Sequence, residues 1–387
     1  MKSLRIKLIG HLIITISILF AGFAAAYANP PDFANSRYIA VCEEMISTNE
    51  CVRVLHQNNA EVLKPLPLIN GVAVNLPPHV NPAAVAAVAG VLRLDPDTVH
   101  FAVAETVTWN IRRINADQAW GTTTGSGVKV GILDTGIDSS HPDLKGRTAG
   151  GIDTIRNRSW TDNNGHGTHV GGIVAATANN GIGVAGVAPQ AGLYAVRVLS
   201  TAGSGYTSDI IEGIDWCMNS SHKCDVMNMS FGSPSYNQSF QDAINKAHGA
   251  GIVAVAAAGN DGTDSLFYPA AYNYVVAVSA TDQNDNIPYW SNYGNHIDFA
   301  APGSSIYSTY KKGSYATMSG TSMASPHVAG VAALRIQQYR DAGISYTPEK
   351  VESDIAAATK PETRYNPYYY GSGIPDAQNL VNLQLTQ

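Results

Sequence analysis

Apolar and polar positions divide the chain into three stretches. The first is a continuous apolar run from Leu8 to Phe23 behind Lys2, Arg5 and Lys7. The second, out to about residue 103, reads as short extended segments, Arg37 to Cys42, Cys51 to His56 and Gly71 to Asn75, with an Ala/Val helix opened by Asn81-Pro82 and reaching about Ala89. Val91 to Phe101 returns to extended structure, so this stretch is a small α+β unit. From Val128 onward, buried-strand runs alternate with amphipathic segments. The runs are Val128–Leu133, Leu193–Leu199, Val226–Met229, Ile252–Ala258 and Tyr274–Ser279. The helices between them are His166–Ala176, Ser208–Met218 and Ser239–Ala247, where Phe240, Ala243, Ile244 and Ala247 share one face. Unbroken apolar strands alternating with helices predict a mainly parallel sheet covered on both faces. Ligands of such sheets sit at the carboxyl ends of the strands.

Composition adds exclusions. Only 14 % of residues are charged and the net charge is -6. Without a basic cluster nucleic-acid binding has no support, and with 45 % hydrophobic residues the chain is not a disordered one. The leading apolar run is shorter than the ~20 residues of a spanning helix. It is followed by Ala26-Tyr27-Ala28, an A-x-A cleavage pattern, so residues 1–28 read as a secretory signal and the protein as secreted, with no stable membrane association. The four cysteines form two close pairs, Cys42/Cys51 and Cys217/Cys224. Export permits disulfides, and one is expected between Cys217 and Cys224.

Four polar residues stand in small-residue frames. Asp134 ends the run Val130-Gly131-Ile132-Leu133 and precedes Thr135-Gly136. His166 opens a helix in Asn164-Gly165-His166-Gly167-Thr168-His169. Its spacing of three to His169, with glycine between, departs from the H-E-x-x-H zinc pattern. Ser322 starts a helix in Ser319-Gly320-Thr321-Ser322-Met323-Ala324-Ser325-Pro326-His327. Asn260 follows a strand in Ala258-Gly259-Asn260-Asp261-Gly262. Taken singly, Asp134 and Asn260 are turn formers and Ser322 an N-cap. A serine at a helix N-terminus is also a nucleophile where a base reaches it, and an amide side chain can face an oxyanion. Ala324 departs from the G-x-S-x-G elbow and counts against an α/β-hydrolase esterase.

Together, in the order Asp, His, Ser, these motifs resemble the subtilisin family of serine proteases from about residue 104 to 380. The resemblance implies the subtilisin-like three-layer α/β fold, preceded by a ferredoxin-like α+β pro-domain. It implies a serine endopeptidase acting on polypeptides, with Asp134 orienting His166, His166 as base, Ser322 as nucleophile and Asn260 as oxyanion donor. The other reading is a protease-like binding protein without activity. By the same resemblance, Gly203-Ser204-Gly205 and Ser230-Phe231-Gly232 pair with the substrate backbone. Phe231 and Ile210 line the pocket for the fourth residue before the cut, and Gly232, Ala257 and Gly259 the first. Phe267 falls where the family has a small residue at the floor of that first pocket, so it either makes the pocket shallow or turns into the core. Residues 178–186 resemble the family's calcium loop, with Ca2+ held by Asp143, Asn180, Glu105 and the carbonyls of Ala178, Ile182 and Val184. Residues 29–103 resemble the pro-domain that inhibits the enzyme and assists its folding, with self-cleavage near Val103–Ala104 and a monomeric peptidase domain over 104–387.

Overall fold

A computed structural model describes residues 37–97, 105–359 and 365–386. The signal segment, the first residues of the pro-segment and the expected self-cleavage point lie outside the described residues. The chain divides into two compact units at residues 102/103.

The first unit runs β1 (Arg37–Cys42), α1 (Thr48–Gln57), β2 (Glu61–Leu66), β3 (Gly71–Asn75), α2 (Pro82–Ala86) and β4 (Val91–Pro96). Its antiparallel sheet has the order β2-β3-β1-β4, the βαββαβ arrangement of a ferredoxin-like unit. The segment Cys51 to His56, expected as a strand, is helical. Ser47 caps it by accepting the Glu50 N–H at 3.2 Å, and Cys51 and Leu55, four apart, are its buried positions. Cys42 and Cys51 are joined by a disulfide.

The second unit continues with α3 (Trp109–Arg113), α4 (Ala116–Ala119), β5 (Lys129–Asp134), β6 (Thr148–Asp153), α5 (His166–Ala175), β7 (Gly192–Arg197), α6 (Thr207–Met218), β8 (Val226–Met229), α7 (Gln238–Gly249) and β9 (Val253–Ala257). It ends with β10 (Val275–Thr281), β11 (Phe299–Pro302), β12 (Ile306–Tyr310), β13 (Ser314–Met318), α8 (Thr321–Asp341), α9 (Pro348–Ala358), α10 (Pro367–Tyr370) and α11 (Ala377–Asn382). Seven strands form one parallel sheet in the order β11-β10-β9-β8-β5-β7-β6. Successive residues serve opposite faces, as strand pleating requires. Val253, Val255, Val276 and Val278 join the core with α5 and α8, whereas Ala254, Ala256, Val275 and Ala277 join the core with α6 and α7. The result is three layers around a sheet buried on both sides. β5 lies between β7 and β8, where the strand order changes direction, and Asp134 ends it. The helix α8 is buried along nearly its whole length and packs beneath β8 to β11. An all-round buried helix needs small residues on every side, which accounts for its Ala- and Gly-rich sequence.

Cys217 and Cys224 correct the disulfide expectation. Both are buried free thiols, Cys217 on α6 and Cys224 just before β8, packed on Gly131 of β5. Burial and the hydrogen-bonded Cys224 thiol push the Cys217 thiol well above its ordinary value, favouring the protonated form.

Candidate active site

Three strand ends and two helix starts supply the site. The end of β5 carries Asp134, the end of β8 leads into Ser230, and the end of β9 leads into Asn260. His166 opens α5, and Ser322 lies in the first turn of α8. Close approach is possible because Gly167 has no side chain. A Cβ there would lie 2.2 Å from the Gly136 carbonyl oxygen and 3.1 Å from the Asp134 Cβ. The start of α5 therefore presses directly on the end of β5.

Asp134 is fully buried, and its carboxylate receives the Thr135 N–H at 2.7 Å. His166 Nδ1 lies 2.8 Å and 2.9 Å from the two carboxylate oxygens. The imidazole keeps 21 % of its surface exposed, toward the cleft. Burial disfavours the imidazolium, but the charge and hydrogen bond of Asp134, helped by the charge of Asp162, outweigh it. His166 therefore titrates above its ordinary value.

A cleft of about 340 Å3 brings His166, Ser322, Asn260, Gly203, Ser230, Phe231, Gly232, Ala257, Gly259 and Phe267 together. The Ser322 hydroxyl donates to the Ser230 carbonyl at 3.0 Å. The Asn260 side-chain oxygen accepts both the N–H of Thr321 (2.8 Å) and its hydroxyl (3.0 Å). That leaves the amide NH2 of Asn260 to face the cleft. A methyl placed on Gly320 would lie 3.6 Å from Asn260 Nδ2 and 3.7 Å from the Ser322 nitrogen, so the two donors converge on one space. Thr321, which the motif displayed but spacing alone did not distinguish, thus holds the Asn260 side chain. The Ser230 hydroxyl, expected only as part of a substrate-pairing strand, donates to the Ser322 carbonyl at 2.8 Å and lies 3.0 Å from the Ser325 hydroxyl. It ties β8 to the first turn of α8.

Phe267 stands in the cleft and not in the core. A Cβ on Gly232 would lie 2.3 Å from its ring, and one on Gly259 3.0 Å. The ring thus occupies the gap between the two walls. Beyond it, Ser204, Gly205, Ile210 and Phe231 line a second recess with Tyr206, Tyr236, Phe240 and Tyr268.

The loop residues expected to hold a metal also come together, in two groups. The Glu105 carboxylate accepts the N–H groups of Asn179 (2.9 Å), Asn180 (2.9 Å) and Gly181 (3.2 Å). Asp143 is buried and accepts the Asn180 amide (2.7 Å), the Val184 N–H (2.8 Å) and the Tyr315 hydroxyl (3.2 Å). Burial raises its carboxyl despite these bonds. Among the described residues no hydrogen bond takes up the carbonyls of Ala178, Ile182 or Val184.

The subtilase family matches residues 125–373 of the chain. Thermitase of Thermoactinomyces vulgaris is 50 % identical over 60 % of this chain and 82 % of its own length. M-protease of Shouchella clausii is 41 % identical over 96 % of this chain and 98 % of its own. Subtilisin Savinase of Lederbergia lenta is 51 % identical over 71 % of this chain and 98 % of its own.

Proposed function

The chain belongs to the subtilase family and is a subtilisin-like serine endopeptidase acting on polypeptides; from that premise we propose that Ser322, His166 and Asp134 carry out the hydrolysis through an acyl-enzyme. The observation that carries this reading is an imidazole clasped by a buried carboxylate on one side and opening on the other into the cleft it shares with Ser322. A serine hydroxyl is a weak nucleophile until a base takes its proton, and the carboxylate holds the imidazole in the tautomer that can do so. Rotation about the Ser322 Cα–Cβ bond exchanges the Ser230 carbonyl for the imidazole. As the hydroxyl oxygen bonds to the scissile carbonyl carbon, its proton passes to His166, which then delivers it to the leaving amine. The oxyanion meets the Asn260 amide and the Ser322 N–H, which are already set before charge develops. A phosphonylating reagent specific for activated serines adds its mass to Ser322 and abolishes proteolysis. Absence of labelling, or labelling that persists in Ser322→Ala, refutes the assignment.

Specificity follows from Phe267. With its ring between Gly232 and Gly259, the first pocket takes small side chains such as Ala and excludes aromatic ones. Peptides differing only at that position, Ala against Phe, test this. Faster cleavage of the Phe peptide by the parent enzyme overturns it, and Phe267→Gly is expected to reverse the order.

The loop chemistry fits a calcium ion. A buried carboxylate raised by burial, an amide side chain and unused carbonyls are the hard oxygen donors that cation takes. Asp143, Asn180 and the carbonyls of Ala178, Ile182 and Val184 would hold it, with Glu105 fastening the loop from its N–H side. Calcium there supplies stability and no chemistry. Chelation therefore lowers the melting temperature, and an unchanged one removes the site. Residues 1–28 and 29–103 act as signal and pro-segment, and the mature enzyme begins near Ala104 in the medium. N-terminal sequencing of secreted product checks both cuts.

A further inference from the structure

A second carboxylate lies behind the first. Asp162, 3 % exposed, sits in the loop leading to α5 and accepts five hydrogen bonds. Its Oδ1 takes the Thr135 hydroxyl (2.9 Å), the Asn164 N–H (2.8 Å) and the Gly165 N–H (2.8 Å). Its Oδ2 takes the N–H (2.9 Å) and the hydroxyl (2.7 Å) of Thr168. Two of these partners extend the network. The Thr135 hydroxyl accepts the Gly167 N–H at 3.0 Å, and the Thr168 hydroxyl accepts the Asp138 N–H at 3.0 Å. One carboxylate thereby joins the residue after Asp134 to the residues on both sides of His166. The N-cap of α5 is Gly165, which has no side chain to cap with, so Asp162 does that work from three residues upstream. Hydrogen bonds to a carboxylate are about twice as strong as neutral ones, and their number here leaves the turn little freedom.

We propose that Asp162 is a positioning residue for the reaction, fixing the His166 turn against the end of β5 so that the imidazole meets Asp134 and Ser322 together. Its charge also favours the imidazolium form of His166, in the same sense as Asp134. The other ionisable groups around this network are His169 on α5, Asp138 after β5, Arg197 at the end of β7, which donates to the Ser159 and Thr161 carbonyls, Tyr310, whose hydroxyl donates to the Asn164 carbonyl, and Lys311, which donates to the Asn163 carbonyl. Asp162→Asn leaves all of them in place.

The inference rests on His166 being the base. In the processed enzyme, Asp162→Asn is expected to lower kcat roughly 10- to 100-fold with KM little changed, the size of loss that small misplacement of a reacting group produces. The acid limb of its pH–rate profile should also move to lower pH, because a negative charge near His166 has gone. A merely structural carboxylate would lower the melting temperature and leave that limb where it was. A kcat within twofold of the parent, or an unmoved limb, overturns the role. If Asp162→Asn does not fold, Thr135→Val is read instead. A severalfold loss of kcat at constant KM supports the proposal, and a kcat within twofold refutes it. Failure of the underlying reading is separately visible, since a parent enzyme not phosphonylated at Ser322 sinks the base assignment whatever these variants do.

Discussion

The first turn of α5 carries two histidines, three residues apart, in opposite states. His166 faces a carboxylate on one side and the open cleft on the other, and titrates above its ordinary value. His169 is fully buried and its Nε2–H donates to the carbonyls of Ile306 (3.0 Å) and Ala316 (3.1 Å), with burial pushing it down to about 4. The neighbouring helix repeats the contrast. Ser322 opens α8 at the cleft, whereas His327 one turn further along is fully buried, its Nδ1–H bound to the Met323 carbonyl at 2.8 Å and its Nε2 accepting the Asn110 amide at 2.8 Å. It too is pushed down to about 4. The difference teaches that residue type assigns nothing here. In the proposed mechanism a histidine serves as base where a carboxylate holds one nitrogen and the cleft leaves the other open, and it is a neutral strut where burial and backbone groups surround it.

That contrast can be tested from its strongest point downward. Ser322→Ala removes the nucleophile and should lower kcat by about 10⁶, with the interior untouched, so the urea midpoint should match the parent. Asn260→Ala removes one of two oxyanion donors and should cost about 10²–10³ in kcat with little change in KM, read from initial rates on one peptide. In the interior the expectation reverses. Arg335 is fully buried on α8, paired with Asp354 at 2.8 Å and donating to the carbonyls of Leu380 and Leu383. Arg335→Met should lose roughly 1–2 kcal/mol of stability, since its bonds to Asp354 and the carbonyls go while Asp354 keeps Lys350 and the Tyr339 hydroxyl, and kcat/KM of the folded enzyme holds. Equal stability in chemical denaturation would contradict this.

The smallest effects concern pH. His166 must be neutral to act, and its raised value puts the acid limb of the activity above about 6.5, which a pH–rate profile checks. His327 has the opposite sign. Its folded value lies below its unfolded one, so the stability it contributes is present above about 6.5 and lost as pH falls toward 4. His327→Gln should therefore be less stable than the parent at neutral pH, with the gap narrowing by pH 4. A gap that widens on acidification breaks the comparison.

Much of the peptidase unit was legible because parallel strands buried on both faces are apolar runs, and five of the seven strands had that form. The other two lacked it. Both are edge strands: Thr148–Asp153 is partly exposed and has Ile152 as its only large apolar residue, and Phe299–Pro302 has only Phe299. Cys51 to His56 misled because its apolar residues fit either period over so short a span, and the Ser47 cap decided for helix. Cys217 and Cys224 are close enough in sequence to pair, but the structure holds both as buried free thiols. For Phe267 the sequence leaves pocket and core both open, and only the walls at Gly232 and Gly259 on either side of its ring decide for the pocket.

What the sequence determined by itself was local: the strand runs, the small residues that let β5 approach α5 and line α8, and the types and order of Asp134, His166, Asn260 and Ser322. What tertiary structure alone decided were the relations across long separations, such as Asp162 bonded to Thr135, Thr321 holding Asn260, and Glu105 on the 179–181 loop. The reason is physical. Periodicity and capping act within a few residues, whereas a hydrogen bond to a buried carboxylate is set by where the chain returns, which only the packed sheet and its two helical layers fix.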